Sequence, residues 1–381
     1  MNPLQTIARG RIVPATHGAE IYAHAMDTHQ QDRARNILEN YIQTAASRAQ
    51  RPIERIMNEI PNDSIVRGQA MTFRPVSAHK VIEVTAGGSG LVLHDHALTQ
   101  IAQRLDMPIA TVRELQERAQ PWSQELLAHS LTEHARNVWA PSDRFLARAV
   151  GGQLRGFLSD KFRRIDCRPI LDVLIGETQK VGAMITDAVV SDVRASVRFL
   201  LPRVLEIAPS EFVALGMEWT NSDYGKGKNA LSAFLMRVWC LNGAILSQEL
   251  AQIHLGGRLS DSIEYSRATI EADSRAATLA ARDTARALLA PGRQEATIAV
   301  LQKAANEPID AKASIADMRK RLGKTIADKV AEAYNMADVE ALPLGNTAWR
   351  MSNAISWVAK AEGTSADTRV DLEREAGTLL K

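Results

Sequence analysis

The chain lacks most of the features that announce a function. Only two of its 381 residues are cysteine, Cys167 and Cys240. Two thiols without a pairing pattern build no disulfide framework, and no histidine pair has zinc-finger spacing. They fit a reducing compartment. No apolar run reaches the roughly 18 residues that a membrane-spanning helix takes. The opening stretch MNPLQTIARGRIVPATHG has no continuous apolar segment and no small-residue cleavage site, so it reads as no secretory signal. Charge of one sign is also missing. The net charge is +2, from 46 basic and 44 acidic residues. Residues 1–140 carry 14 of each, 141–258 carry 15 basic against 12 acidic, and 259–381 carry 17 against 18. A chain-wide electrostatic footprint for nucleic acid is excluded, so any basic site is local. The phosphate-cradling GxxxxGK[ST] loop, the GxSxG elbow and a matched Cys/His pair are all absent. The sequence therefore assigns no catalytic residue, no metal ligand and no cofactor.

What is present is enough apolar residue, 45%, for an ordinary packed core. Three regions follow from the patterning. Residues 1–63 read as an arm followed by a helix, with Ile37, Tyr41 and Ile42 at helical spacing and Pro52 and Pro61 bracketing a short amphipathic piece. Residues 64–258 read as an α+β core. SIVRGQAMTFRPVSAHKVIEVT is extended, AGGSG is a turn, and LHDHALTQIAQRLDMP is a helix with Asp95 at its N-cap. Helices broken near Pro121 come next, then a Gly-rich extended start that leads into another helix. VRASVRFLL alternates, placing Val193, Ala195, Val197, Phe199 and Leu201 on one face and Arg194, Ser196 and Arg198 on the other. VALGMEW repeats the pattern. The run over 231–245 is too apolar for periodicity to separate strand from helix. Residues 259–381 are Ala-rich and helical, with one long helix ending before Pro291 and shorter ones after it. The expected class is α+β: a central antiparallel sheet with flanking helices, a helical N-terminal arm and a helical C-terminal region.

Two stretches concentrate polar chemistry. LRGFLSDKFRRIDCR interleaves Arg155, Lys161, Arg163, Arg164 and Arg168 with Phe157 and Phe162. Cations neutralise phosphates, and rings stack on bases for about 1–3 kcal/mol each. The plainer alternative is a solvated helix start tempered by Asp160 and Asp166. NSDYGKGK, 221–228, has the residues of a tight turn, with Tyr224 for stacking and Lys226 and Lys228 for phosphate. Arg194 and Arg198 extend a basic strand face or pair with neighbouring acids. LHDH, 93–96, is favoured as capping and surface over a metal cluster, because helical neighbours two apart diverge. His254 in IHLGG is explained by a helix end. Asp187, Asp192, Glu218 and Asp223 are the acids that a Mg²⁺-dependent nuclease would use, without the Glu-x-Lys that usually follows.

LVLHDHAL, LRGFLSDKFRRID, NSDYGKG, RVWCLNGAI, IHLGG and TAWRMSNAISWVAKAEG occur in this order over about residues 65–381. Together they resemble a family of phage- and plasmid-borne proteins carrying a domain of unknown function. Phe162 stands where that pattern commonly has Tyr, and Leu241 where it commonly has Thr or Ser, so neither place carries a hydroxyl. The resemblance implies a mobile-element protein of a bacterial host cytoplasm, and it brings no catalytic residues with it. By analogy with phage single-strand annealing proteins, the expected function is sequence-independent single-stranded DNA binding and annealing in recombination or replication. This involves no enzyme chemistry, and the protein is a homo-oligomer forming a ring or filament. Arg155, Lys161, Arg163, Arg164, Arg194, Arg198, Lys226 and Lys228 hold phosphates in this reading, and Phe162 and Tyr224 stack. The alternatives are a metal-dependent nuclease and a structural or anti-defence protein that binds a host protein through its C-terminal helices.

Overall fold

The computed structural model describes residues 17–76, 81–86, 88–118, 120–252, 265–336, 338 and 342–380. His254 and the IHLGG stretch lie outside them. The chain is α+β, and the described residues form two six-stranded sheets in place of one central sheet. Among the described residues no helix is long and apolar enough to cross a membrane.

Helix α1, His17–Asn58, opens the described chain. It runs through Pro52, so that proline does not bracket a separate piece. The first sheet is built from β1 (Asn62–Arg67), β2 (Thr72–Val76), β3 (Val81–Ala86), β4 (Ser89–Leu93), β5 (Arg144–Val150) and β6 (Gln153–Ser159), in the order β1-β5-β6-β4-β3-β2. Its pairings are antiparallel except β4 with β6, which run parallel over Val92↔Gln153 and Leu93↔Leu154. Pro75 sits in β2, an edge strand, where its missing N–H costs no ladder bond. Between β4 and β5 run α2 (Asp95–Arg104), α3 (Ile109–Glu117) and α4 (Pro121–Val138). They cover one face through Leu98, Ile101, Leu127 and Leu131, packed on Val84, Leu154 and Phe157.

After α5 (Cys167–Lys180) comes the second sheet: β7 (Met184–Val190), β8 (Ala195–Leu200), β9 (Leu205–Ala208), β10 (Glu211–Asn221), β11 (Asn229–Arg237) and β12 (Asn242–Gln252). Its order is β12-β11-β10-β8-β7, with β9 also on β10, and every pairing is antiparallel. The 231–245 run is therefore two strands, with Leu241 at φ 56° just before β12. Helices α6 (Arg267–Leu289), α7 (Pro291–Asn306), α8 (Ala311–Leu322), α9 (Lys324–Tyr334), α10 (Ala348–Lys360) and α11 (Ala366–Thr378) complete the chain.

Both faces of the second sheet are covered. Met217 and Trp219 pack with α5 and α6, and Val213 and Leu215 pack with α7 to α11. The even-numbered face, with Ala214, meets Leu38 and Ile42 of α1 and Val370 of α11. This explains why β10 and β11 are buried at nearly every position and why their apolar runs carry no period.

Candidate nucleic-acid interface

The motifs that stand apart in sequence meet where the two sheets join. The β10–β11 loop carries NSDYGKGK, and its first half is buried while Gly225 to Lys228 are exposed. Asn221 Nδ2 donates to the Ile165 carbonyl at 2.7 Å, and Ser222 Oγ donates to the Val193 carbonyl at 2.6 Å. The Asp223 carboxylate accepts from the Cys167 amide at 2.7 Å, capping α5 from a distant loop. Asp166, which precedes α5, makes no such cap. The Tyr224 carbonyl accepts from Gln100 Nε2 and lies 3.0 Å from His96 Nε2. Gly156 of β6 allows this approach, since a Cβ there would stand 3.2 Å from the Tyr224 Cα.

Arg148 of β5 is the centre of the joint. Its side chain is 1% exposed and bonds Asp63 at 2.8 Å, Asp166 at 2.7 Å and the Asp223 carbonyl at 2.8 Å. The paired carboxylates outweigh burial, so its pKa is held above the ordinary arginine value. Burial, with Asp166 nearby, pushes the Asp223 carboxyl up to about 6. A second chain of charges runs alongside: Arg155 to Glu59 at 2.7 Å, Glu59 to Arg55 at 3.1 Å, and Arg55 to Asp192. His94 faces Asp192 at 3.4 Å.

These contacts correct several expectations. The N-cap of α2 is His94, whose Nδ1 accepts from the His96 amide at 3.0 Å; Asp95 is the first helical residue. His96 turns inward to the β10–β11 loop and is half-buried. Phe162 and Tyr224 are 7% and 6% exposed, so in this arrangement neither ring is open to stack on a base. Phe162 packs with Leu146 and Leu158. Of the expected phosphate ligands, Arg155 is tied to Glu59, Arg163 to Asp273 of α6 at 2.8 and 2.6 Å, and Arg164 to Asp63 at 2.7 Å. Arg198 is not on a solvent face. It is 5% exposed and bonds Glu218 at 3.1 Å together with Glu373 of α11. The reason is that α1 and α11 cover the even-numbered face of the second sheet, and the arginine there finds carboxylates in place of water. Lys161 is half-buried, and Lys228 is exposed at the loop end.

The four acids considered for metal do not gather. Asp192 pairs with Arg55, Glu218 with Arg198, Asp223 caps α5, and Asp187 lies 3.7 Å from Arg198 and 3.4 Å from Arg369. Among the described residues no group of three His, Cys, Asp or Glu is placed to share an ion.

The structure does bring three of the expected residues to one cavity. Arg194, Arg198 and Lys226 line a cleft of about 420 Å³ between β7, β8, the β10–β11 loop and the start of α11. Arg369 joins them from α11, with Asp187 as the acid on the wall and Ser191, Ser196 and Ser365 as hydroxyls. Ser365 caps α11, accepting from the Thr368 amide at 3.1 Å, so the positive end of that helix dipole points to the same place. Helix α11 falls within the expected helical C-terminal region, but Arg369 was not among the expected site residues. The pattern that marks them is Ser365 ahead of Leu372, Ala376 and Leu380, which are buried and four apart. No family model, no curated protein and no solved structure matches this chain.

Proposed function

We propose that the protein binds single-stranded DNA through its phosphate backbone, without sequence preference and without a chemical step. It would serve strand annealing or replication for a mobile element in a bacterial cytoplasm. The observation that carries this reading is the cleft in which Arg194, Lys226 and Arg369 converge beside the amino end of α11. Such a set attracts phosphate by charge and by hydrogen bonding. With Phe162 and Tyr224 in the core, base stacking drops out of the mechanism and electrostatics carries the affinity. Three neutralised phosphates on a single strand give a slope of about −2 in log K against log salt. Assembly of copies along the strand belongs to the same proposal.

The test is fluorescence anisotropy of labelled oligo-dT across a salt series, with mass photometry on the same samples. Arg194→Ala/Lys226→Ala is expected to abolish binding, while Phe162→Leu leaves it unchanged. Absence of binding by the wild type at low salt rules the proposal out.

A further inference from the structure

The first sheet ends on a strand that is open on one side. Among the described strands β1 pairs only with β5, and every residue of β1 except Val66 is exposed. The opposite edge of the sheet is closed: α4 lies against β2, and Thr132 Oγ1 accepts from the Phe73 amide at 3.0 Å. We propose that β1 pairs antiparallel with β1 of a second copy, centred on Ile65, so that two first sheets join across a twofold axis. This surface belongs to the first sheet, and its role does not depend on DNA binding at the cleft of the second.

The backbone sets the register. The Gly68 amide donates to the Asp143 carbonyl at 3.1 Å, continuing the ladder in which Asn62 faces Ala149 and Arg67 faces Arg144. Hydrogen-bonded pairs alternate along an antiparallel ladder, so the even-numbered residues of β1 turn their backbone groups to β5. Asp63, Ile65 and Arg67 turn theirs outward, and these three are symmetric about Ile65. Pairing centred there sets Ile65 against Ile65 and Asp63 against Arg67 in both directions, and it engages every outward N–H and C=O of the two strands. The side chains agree. Ile65, 44% exposed, is the uncovered end of an apolar row whose other members, Leu146 of β5 and Leu158 of β6, are buried. Arg67 stands directly opposite Arg144, a like-charge neighbour that disfavours the strand pair. On its open side a second copy brings Asp63. That carboxylate bonds Arg148 and Arg164, and its side chain keeps 28% exposure for a third partner. The complementary order, base–apolar–acid against acid–apolar–base, is what a second copy supplies by symmetry and an arbitrary strand does not.

Sedimentation velocity of the full chain without DNA, over a concentration series reaching about 100 µM, tests the pairing, because an interface of one short strand is small and associates weakly. The wild type is expected to form a dimer whose share grows with concentration. Ile65→Pro removes the central outward N–H, leaves the β5 ladder intact, and is expected to stay monomeric. Arg67→Glu meets the second copy's Asp63 with a like charge and relieves Arg144. Its association is expected to fall about tenfold or more while its unfolding temperature holds or rises. A general loss of folding gives no such split, so this variant keeps the test decisive if Ile65→Pro fails to fold. Ile65→Cys is expected to cross-link two copies under oxidation, and Ser64→Cys, on the other face of the strand, is not. A monomer at every concentration overturns the inference, and so does a dimer that survives both variants or cross-links through Ser64→Cys alone. Every arm is read without DNA, so failure here leaves the reading of the cleft to its own test.

Discussion

Arg198 shows what a single residue's surroundings can reverse. In VRASVRFLL it falls on the polar side of an alternating strand, and polar alternation reads as solvent. In the protein it is buried against Glu218 and Glu373. A charge at that depth is retained only when opposite charges and hydrogen bonds replace water. Asp223 is the complementary case, a buried carboxylate that keeps its proton more readily than it does in water. Its folded pKa is raised from 3.8 to about 6, chiefly by burial. A group raised in this way contributes stability that is fully present below its unfolded value and is lost as pH rises through the folded value. We expect wild-type stability to fall from this source between about pH 4 and pH 6, and Asp223→Asn, which carries no titrating proton, to flatten that part of the profile. Urea unfolding at half-unit pH steps reads the difference; parallel profiles for the two proteins would show that Asp223 is not the titrating group.

At the scale of elements, amphipathic pieces were legible and fully buried ones were not. The turn at AGGSG, the helix break at Pro121 and the long α6 all follow from local chemistry. The run that forms β11 and the start of β12 left strand and helix open because both faces of the second sheet are covered and periodicity vanishes. Helix α11 lies within the expected helical C-terminal region, but nothing local shows that it supplies Arg369 to the cleft and Glu373 to Arg198. Its position depends on Gly377, where a Cβ would stand 1.9 Å from the Ile245 carbonyl oxygen. Gly377→Ala therefore pushes α11 off β12. The expected cost is about 1–3 kcal/mol in urea unfolding, with weaker binding at the cleft. Wild-type stability in the variant would show that α11 has room on β12 that the static packing does not provide.

Over the whole molecule, two sheets are joined through one polar core, and the C-terminal helices belong to the second sheet. Leu215, Leu235 and Ala244 share a cluster with Trp349, Met351 and Ile355. Deleting residues 259–381 strips that face, so the remainder is expected to lose its cooperative unfolding transition and to aggregate. Circular dichroism and size-exclusion chromatography check this, and a soluble monomeric 1–258 fragment with a sharp transition would refute it. Loss of function on such a deletion would not by itself identify the C-terminal helices as a partner surface, because the deletion removes the wall of the cleft as well. Arginines that looked like a nucleic-acid surface, Arg155, Arg163 and Arg164, fasten α1, α6 and β1 to the joint through Glu59, Asp273 and Asp63.

By itself the sequence determined the α+β class, the helical arm, the alternating face of β8, the tight turn in NSDYGKGK and the helical C-terminal region. Each of these is a local matter of period, capping and turn chemistry. It also picked out Arg194 and Lys226, which reach the cleft. The tertiary structure alone decided that there are two sheets, that Phe162, Tyr224 and Arg198 face inward, and that Arg369 completes the site. Burial and ion pairing are set by what comes to lie against a residue from far along the chain, and no window of sequence contains that neighbour.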